Sequence, residues 1–273
     1  MRLRLRHSLR LTFPAPVRNV IAMLRMTPRS HDGQRVTNWR IDVTPDCLLK
    51  AGEDHFGNLV HTLTLPGPVP EITITAQGEL TAFDAAGIVR GSAERLPVEL
   101  YHRGTALTAP DAALRRFGEG AVAGADNVLA RMHRLMAAIH EAVAFEPDDV
   151  ATRPAAARLA AGRATAREHA QIFVTCARAL GVPARCAAGY YLADDAGSRR
   201  HSWAEAYVDG LGWVGFDTVH DICPQDHHTR VAVGLDAVEA DTLRGPQGAA
   251  PAETVEVRWL LGRDPGPLAV TPS

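Results

Sequence analysis

The chain has 273 residues, 46% of them hydrophobic, with 29 Lys plus Arg against 31 Asp plus Glu. That is enough apolar sequence for one large or two modest domains. A formal charge of -2 gives no electrostatic footing for nucleic acid or an acidic membrane surface as partner. Cys47, Cys176, Cys186 and Cys223 form no paired framework, which fits reduced thiols in a cytoplasmic protein. No run reaches membrane-spanning length.

The basic N-terminus lacks the continuous apolar stretch of an export signal. Leu3, Leu5, Leu9 and Leu11 alternate with Arg2, Arg4, Arg6 and Arg10, the period of a half-buried strand. Alternation returns at Val36–Val43 and Leu59–Leu65, and Ile72 and Ile74 mark another strand. The turn Asp54–Asn58 and Pro66, Gly67, Pro68, Pro70 and Gly78 punctuate them. Residues 1–100 therefore read as an all-β, β-sandwich-like domain.

From Tyr101 the pattern changes. After an irregular Tyr101–Pro110, Leu129, Met132, Leu135, Met136, Ile139 and Val143 stripe one face of a helix over Asp126–Val143. Pro147–Arg153 reads as a loop, and Pro154–Ala161 as a short helix ended by Gly162. The next helix opens on Thr165, with Glu168 three residues on in a capping box. Phe173, Cys176, Ala177 and Leu180 continue it, and Gly181 and Pro183 end it. Three strand-like runs follow, Val182–Leu192, His201–Val208 and Trp213–Asp217, joined by the polar loop Asp194–Arg200 and the tight turn Asp209–Gly212. Helices followed by an antiparallel meander make an α+β core over 101–240. Residues 241–273 read as a Gly/Ala/Pro-rich mobile loop, Leu243–Ala252, and a closing strand from Val255 to Leu261.

A helix start, a strand-start His201 and a strand-end Asp217 are the parts of a nucleophile site with its base and orienting acid. The helix N-terminus adds free N–H groups and a positive dipole, which stabilise an oxyanion. A regular ladder through the turn pairs Val208 with Trp213, and so His201 with His220 and Ala204 with Asp217. Asp217 then lies beyond the neighbours that normally touch His201; a bulge in the Gly-rich hairpin would bring them together. Thr165 reads as a cap, His169 as a cleft-lining or structural histidine, Tyr190 as a cleft-flanking or core residue, and Trp203 and Glu205 as the floor behind His201. His220, Asp221, Cys223, Asp226, His227 and His228 include metal-ligand types without a ligand spacing, and read as a polar loop at the cleft rim. No metal or other cofactor is expected.

The stretch from Ala170 to Leu192, then His201-Ser-Trp-Ala-Glu-Ala-Tyr207, then Gly212-Trp-Val-Gly-Phe-Asp217, resembles the core of bacterial transglutaminase-like proteins. Arg230–Asp236 resembles the segment that follows, and the strand after Gln34 with Asp54–Asn58 is similar to the family's N-terminal β-region. The resemblance implies a transglutaminase-like, papain-like core whose Cys–His–Asp triad performs thiol acyl transfer on peptide or amide bonds of a peptide, protein or small amide. It implies that His201 is the base, that Asp217 orients it, and that the register shift occurs. The family nucleophile precedes an acidic-His-Ala pattern; here that is Glu168-His169-Ala170, so Ala166 stands at the nucleophile position. Thr218 stands where members usually have Pro. Three accounts fit Ala166: an introduced Cys→Ala change, a natural peptide-binding pseudoenzyme, or a different nucleophile. For the last, Cys176 lies ten residues along the helix, at about 1.5 Å per residue too far to substitute. Cys186 and Cys223 read as a strand and a loop thiol.

Overall fold

The computed structural model describes residues 1–147, 152–192, 197–245, 249–260 and 269–272. The expected N-terminal alternation is present, with Leu3, Leu5, Leu9 and Leu11 buried. Its strand runs much further, as β1 (Arg2–Thr27), followed by β2 (Gln34–Thr44), β3 (Leu48–Glu53) and β4 (Leu59–Ala82). β1 and β4 are antiparallel over most of their length, with register shifts between Thr12 and Asn19. Leu9 and Leu11 before that irregularity and Phe13 within it share one apolar core with Val20, Ala22 and Leu24 after it, together with Leu63, Leu65, Ile72 and Ile74 of β4. One curled sheet thus supplies both layers around its core.

β5 (Ile88–Val89) leads into the second half. There α1 (Ala112–Ala121), capped by Asp111, and α2 (Val128–Ala142), capped by Asn127, precede the short strand β6 (Ala144–Phe145). The predicted stripe of α2 is buried at Met132, Leu135, Met136 and Ile139; α1 carries too few apolar residues to announce itself in the sequence. α3 (Ala155–Ala161) ends, as expected, at Gly162, whose φ of 66° is left-handed. The loop before α3 falls partly outside the described residues, at 148–151. β7 (Arg163–Ala164) pairs with β6 and leads into α4 (Ala166–Ala179).

The meander follows as β8 (Ala184–Tyr191), β9 (Arg199–Val208) and β10 (Gly212–Phe216), then β11 (His228–Gly234). Positions 194–196 of the first connecting loop are outside the described residues. The sheet order is β11-β8-β9-β10-β5. Ala184, Cys186, Ala204, Ala206, Val214 and Phe216 form the face against α4, where they meet Ile172, Phe173, Cys176 and Ala177. Small side chains on the sheet let the helix approach closely, and Phe173 stacks on Phe216 at 5.1 Å.

β12 (Leu243–Arg244) and β13 (Ala250–Trp259) both pair with β1, and β14 (Ala269–Pro272) pairs with β13. The stretch read as a mobile loop over Leu243–Ala252 therefore carries strand residues at both ends. Its partner lies at the other end of the chain, beyond what local composition reports; residues 246–248 and 261–268 lie outside the described residues.

The hairpin between β9 and β10 corrects the expected register. Val208 pairs with Gly212 and Phe216 with Ala204, so the loop has three residues rather than four. Leu211 N–H donates to Val208 O at 3.0 Å, and Gly210 and Gly212 sit at φ of 80° and 90°, which side chains resist. Shifting a ladder by one moves every residue to the opposite face. Asp217 thereby shares the face of His201 and Trp203 and lies diagonal to His201.

Candidate active site

The capping box at the head of α4 is formed. Thr165 Oγ1 accepts from Glu168 N–H at 3.4 Å, and Glu168 Oε2 accepts from Thr165 N–H at 3.1 Å. Glu168 is fully buried and also accepts from Arg153 N–H at 2.9 Å and Arg158 Nε at 2.6 Å. Burial pushes its pKa up, but those donors and the Arg158 charge prevail and hold it below the usual carboxylate range. Ala166 is the first helical residue and is 4% exposed. N–H groups of a first turn lack intrahelical acceptors, so this end presents donors and the positive end of the dipole.

One turn on, His169 Nδ1 lies 3.4 Å from Thr218 Oγ1. The hydroxyl at the family's proline position thus joins the helix head to the residue after Asp217. Burial lowers the pKa of His169 to about 4, so it is neutral near pH 7. His140, at the end of α2, reaches the carbonyl of Thr218 with Nδ1 at 3.2 Å.

His201 Nε2 lies 2.8 Å from Asp217 Oδ2, and both side chains are fully buried. The pair that needed a register shift is assembled. His201 Nδ1 is buried and has no hydrogen-bond partner among the described residues. Asp217 Oδ1 accepts from Val219 N–H at 3.0 Å. Burial opposes the Asp217 charge, yet the charge of His201 and hydrogen bonds from three imidazoles hold its pKa well below the usual range.

Two of those imidazoles, His220 and His228, are the site residues that sequence reading left in a rim loop. His220 Nδ1 is 2.6 Å and His228 Nε2 3.1 Å from the same Oδ2. His228 arrives because β11 pairs with β8, setting it opposite Tyr191. His220 arrives on the turn closed by the Asp217–Ile222 bridge. The family-like segment beginning at Arg230 was the nearest signal in the sequence.

The ligating atoms of His201, Asp217, His220 and His228 lie within 4.8 Å of one another. A metal-bound imidazole donates its other N–H to an acceptor. Here Arg199 Nη2, a pure donor, faces His220 Nε2 at 3.2 Å, and the Gln225 N–H donates to His228 Nδ1 at 3.2 Å. Both rings therefore direct N–H at Asp217, as hydrogen-bond donors to a carboxylate and not as lone-pair ligands to a cation.

The remaining predicted residues separate. Trp203 is buried, 6.3 Å from the ring of His201 and edge-on to His228 at 5.4 Å. Glu205 is buried between Arg185 Nε at 2.7 Å and Arg230 Nε at 2.6 Å; against the cost of burial these charges hold its pKa at about 2. Tyr190 does not line the cleft. It is fully buried, with its hydroxyl 2.9 Å from His7 Nδ1, because its face of β8 turns toward β1. Cys176 and Cys186 are buried, and Cys223 packs beside Gly87 and the helical core. Asp241 bridges the two sides of the site, with Oδ2 3.1 Å from Arg167 and Oδ1 3.4 Å from Arg200, the neighbours of Ala166 and His201.

Residues 3–81 match the model of the bacterial transglutaminase-like N-terminal region, and residues 115–218 that of the transglutaminase-like superfamily. The chain thus carries a bacterial transglutaminase-like N-terminal domain and a transglutaminase-like core of papain-like fold. It is 21% identical to the uncharacterized protein ML0607 of Mycobacterium leprae, over 94% of this chain and 96% of that one. A solved structure named "Putative Cysteine Protease from Cytophaga hutchinsonii" superposes with a TM-score of 0.77 at 16% identity, over 99% of this chain and 98% of its own. Among the described residues, no helix is long and apolar enough to cross a membrane.

Proposed function

We propose that this chain carries the cleft of a thiol-dependent acyl-transfer enzyme acting on peptide or amide bonds, and that with Ala166 it binds such groups without cleaving them. The observation that carries this reading is the buried, unpartnered Nδ1 of His201. In the neutral ring, with Nε2–H given to Asp217, Nδ1 holds the lone pair, so the base is oriented and has nothing to deprotonate. The occupant we propose is a peptide, a protein segment or a small amide. We place the protein in the cytoplasm, which fits its four free thiols.

With Cys at position 166, the thiolate would attack the carbonyl carbon, forming a C–S bond while first-turn N–H groups hold the oxyanion. The His201 imidazolium would protonate the leaving amine, and water or an amine would resolve the thioester. The test is Ala166→Cys beside the unmodified chain, each treated with limiting iodoacetamide at neutral to mildly acid pH and mapped by mass spectrometry. The background is low, because burial pushes the pKa of Cys176 up to about 12 and that of Cys223 up to about 11. Fast labelling at position 166, lost on adding His201→Ala, is expected. Labelling there no faster than at Cys47 would sink the site assignment.

A further inference from the structure

We infer that His220 and His228 are positioning residues that set the proton affinity of His201 by sharing the carboxylate oxygen that orients it. The inference rests on reading His201 as the base and is independent of what enters the cleft. Three imidazole nitrogens converge on Asp217 Oδ2, His220 at 2.6 Å, His201 at 2.8 Å and His228 at 3.1 Å. The second carboxylate oxygen is occupied by the Val219 N–H.

The two extra rings are fixed as donors from behind. Arg199 facing His220 Nε2 leaves the ring proton on Nδ1, and the Gln225 N–H on His228 Nδ1 leaves it on Nε2. Tyr191 holds the rings in place, stacked on His220 at 4.1 Å and edge-on to His228 at 5.1 Å. Neither ring is free to turn and offer Asp217 a lone pair.

Hydrogen bonds to an anion favour the anion and spread its charge. Each N–H from His220 or His228 keeps Asp217 ionised and draws off charge that would otherwise stabilise a His201 imidazolium. His201 is therefore a firmly oriented base that shares the Asp217 charge with two other rings. The titratable and charged groups around it are Asp217, His220, His228, Tyr191, His169 from α4 and, behind His220, Arg199. Among these only His220 combines a direct bond to Oδ2 with partial exposure, 22% of its side chain, so it is the member to change first.

The test is nitrogen-15 histidine NMR on the unmodified chain and its variants, which reads tautomer and protonation without requiring activity. In the unmodified chain the neutral form of His201 shows a protonated Nε2 and a bare Nδ1. His220→Leu removes one donor and raises the proton affinity of His201 by about 3- to 10-fold. His220→Asn restores an N–H near the Nδ1 position and returns most of that change; a merely structural role would not distinguish the two. His228→Gln keeps a donor at the Nε2 position and leaves His201 near its original value, so the buried member is tested by a variant that retains its bonding. An unchanged or lowered affinity in His220→Leu, or equal shifts in the Leu and Asn variants, would overturn the inference. So would loss of all three N–H signals on adding one equivalent of zinc ion, since the cluster would then be a metal site. Slow labelling of Ala166→Cys would refute the thiol-cleft reading and leave this NMR comparison intact.

Discussion

Asp217→Asn tests the centre of the site by stability alone. The side chain accepts three imidazole N–H groups on Oδ2 and the Val219 N–H on Oδ1. An amide has one acceptor oxygen. With its oxygen toward the histidines, its NH2 meets the Val219 N–H; turned the other way, it meets three N–H groups. The first arrangement costs less. Charge-assisted hydrogen bonds contribute about 1.5–3 kcal/mol and neutral ones about 0.5–1.5, so three bonds lose roughly 3 kcal/mol together. The donor–donor contact at Val219 adds about 1 kcal/mol or more. The sum, about 4 kcal/mol, lies at the far end of single-substitution effects. Urea unfolding at pH 7, with the slope checked for constancy, measures it. Because the folded pKa of Asp217 is depressed, its contribution is present above the unfolded carboxylate value, near about pH 4, and is lost as pH falls through the folded value. The gap between the two proteins should therefore narrow in acid. A loss under about 1 kcal/mol at pH 7 would refute the shared-carboxylate geometry.

Glu168→Gln removes the buried carboxylate from Arg158, which keeps Glu146 as its second partner, and should cost about 1–3 kcal/mol by the same assay. The native advantage is full above the unfolded glutamate pKa and disappears as pH falls through the depressed folded value, which acid unfolding of both proteins would display. Gly189→Ala would set a Cβ 1.9 Å from the carbonyl oxygen of Thr229, backbone against backbone. A loss of at least about 3 kcal/mol, or failure to accumulate folded protein, is expected. Gly120→Ala in α1, where a Cβ meets nothing within 4 Å, should instead gain about 0.5–1 kcal/mol. Thermal melts of the pair separate crowding from propensity.

The helix that heads the site was legible because its signals are local. Thr165, Glu168 and the apolar stripe to Leu180 lie within one element, and the cap forms as read. The β-rich first region was legible for the same reason, since alternation at Leu3–Leu11 needs no partner to be seen. The register of Asp217 was not. It turns on whether the Asp209–Gly212 connection loops out three residues or four, a choice made by two left-handed glycines. Only the likeness of whole motifs implied the outcome. His228 and His220 escaped because their roles depend on β11 crossing to β8 and on a turn closed by Ile222, both tertiary facts. Tyr190 was ambiguous between cleft and core because an isolated aromatic carries no direction; His7, far away in sequence, decides it.

The Asp241 bridge makes the two halves of the chain one mechanical unit. Its carboxylate joins Arg167 to Arg200, its own carbonyl is 3.5 Å from Arg25 Nη1, and Arg25 N–H donates to Thr242 O at 2.7 Å. Arg25 belongs to β1 and is itself anchored by Asp54 at 2.8 Å. The spacing between the head of α4 and the strand of His201 is thus referenced to the N-terminal sheet. Cutting the chain to its family core would remove the ruler along with the ornament.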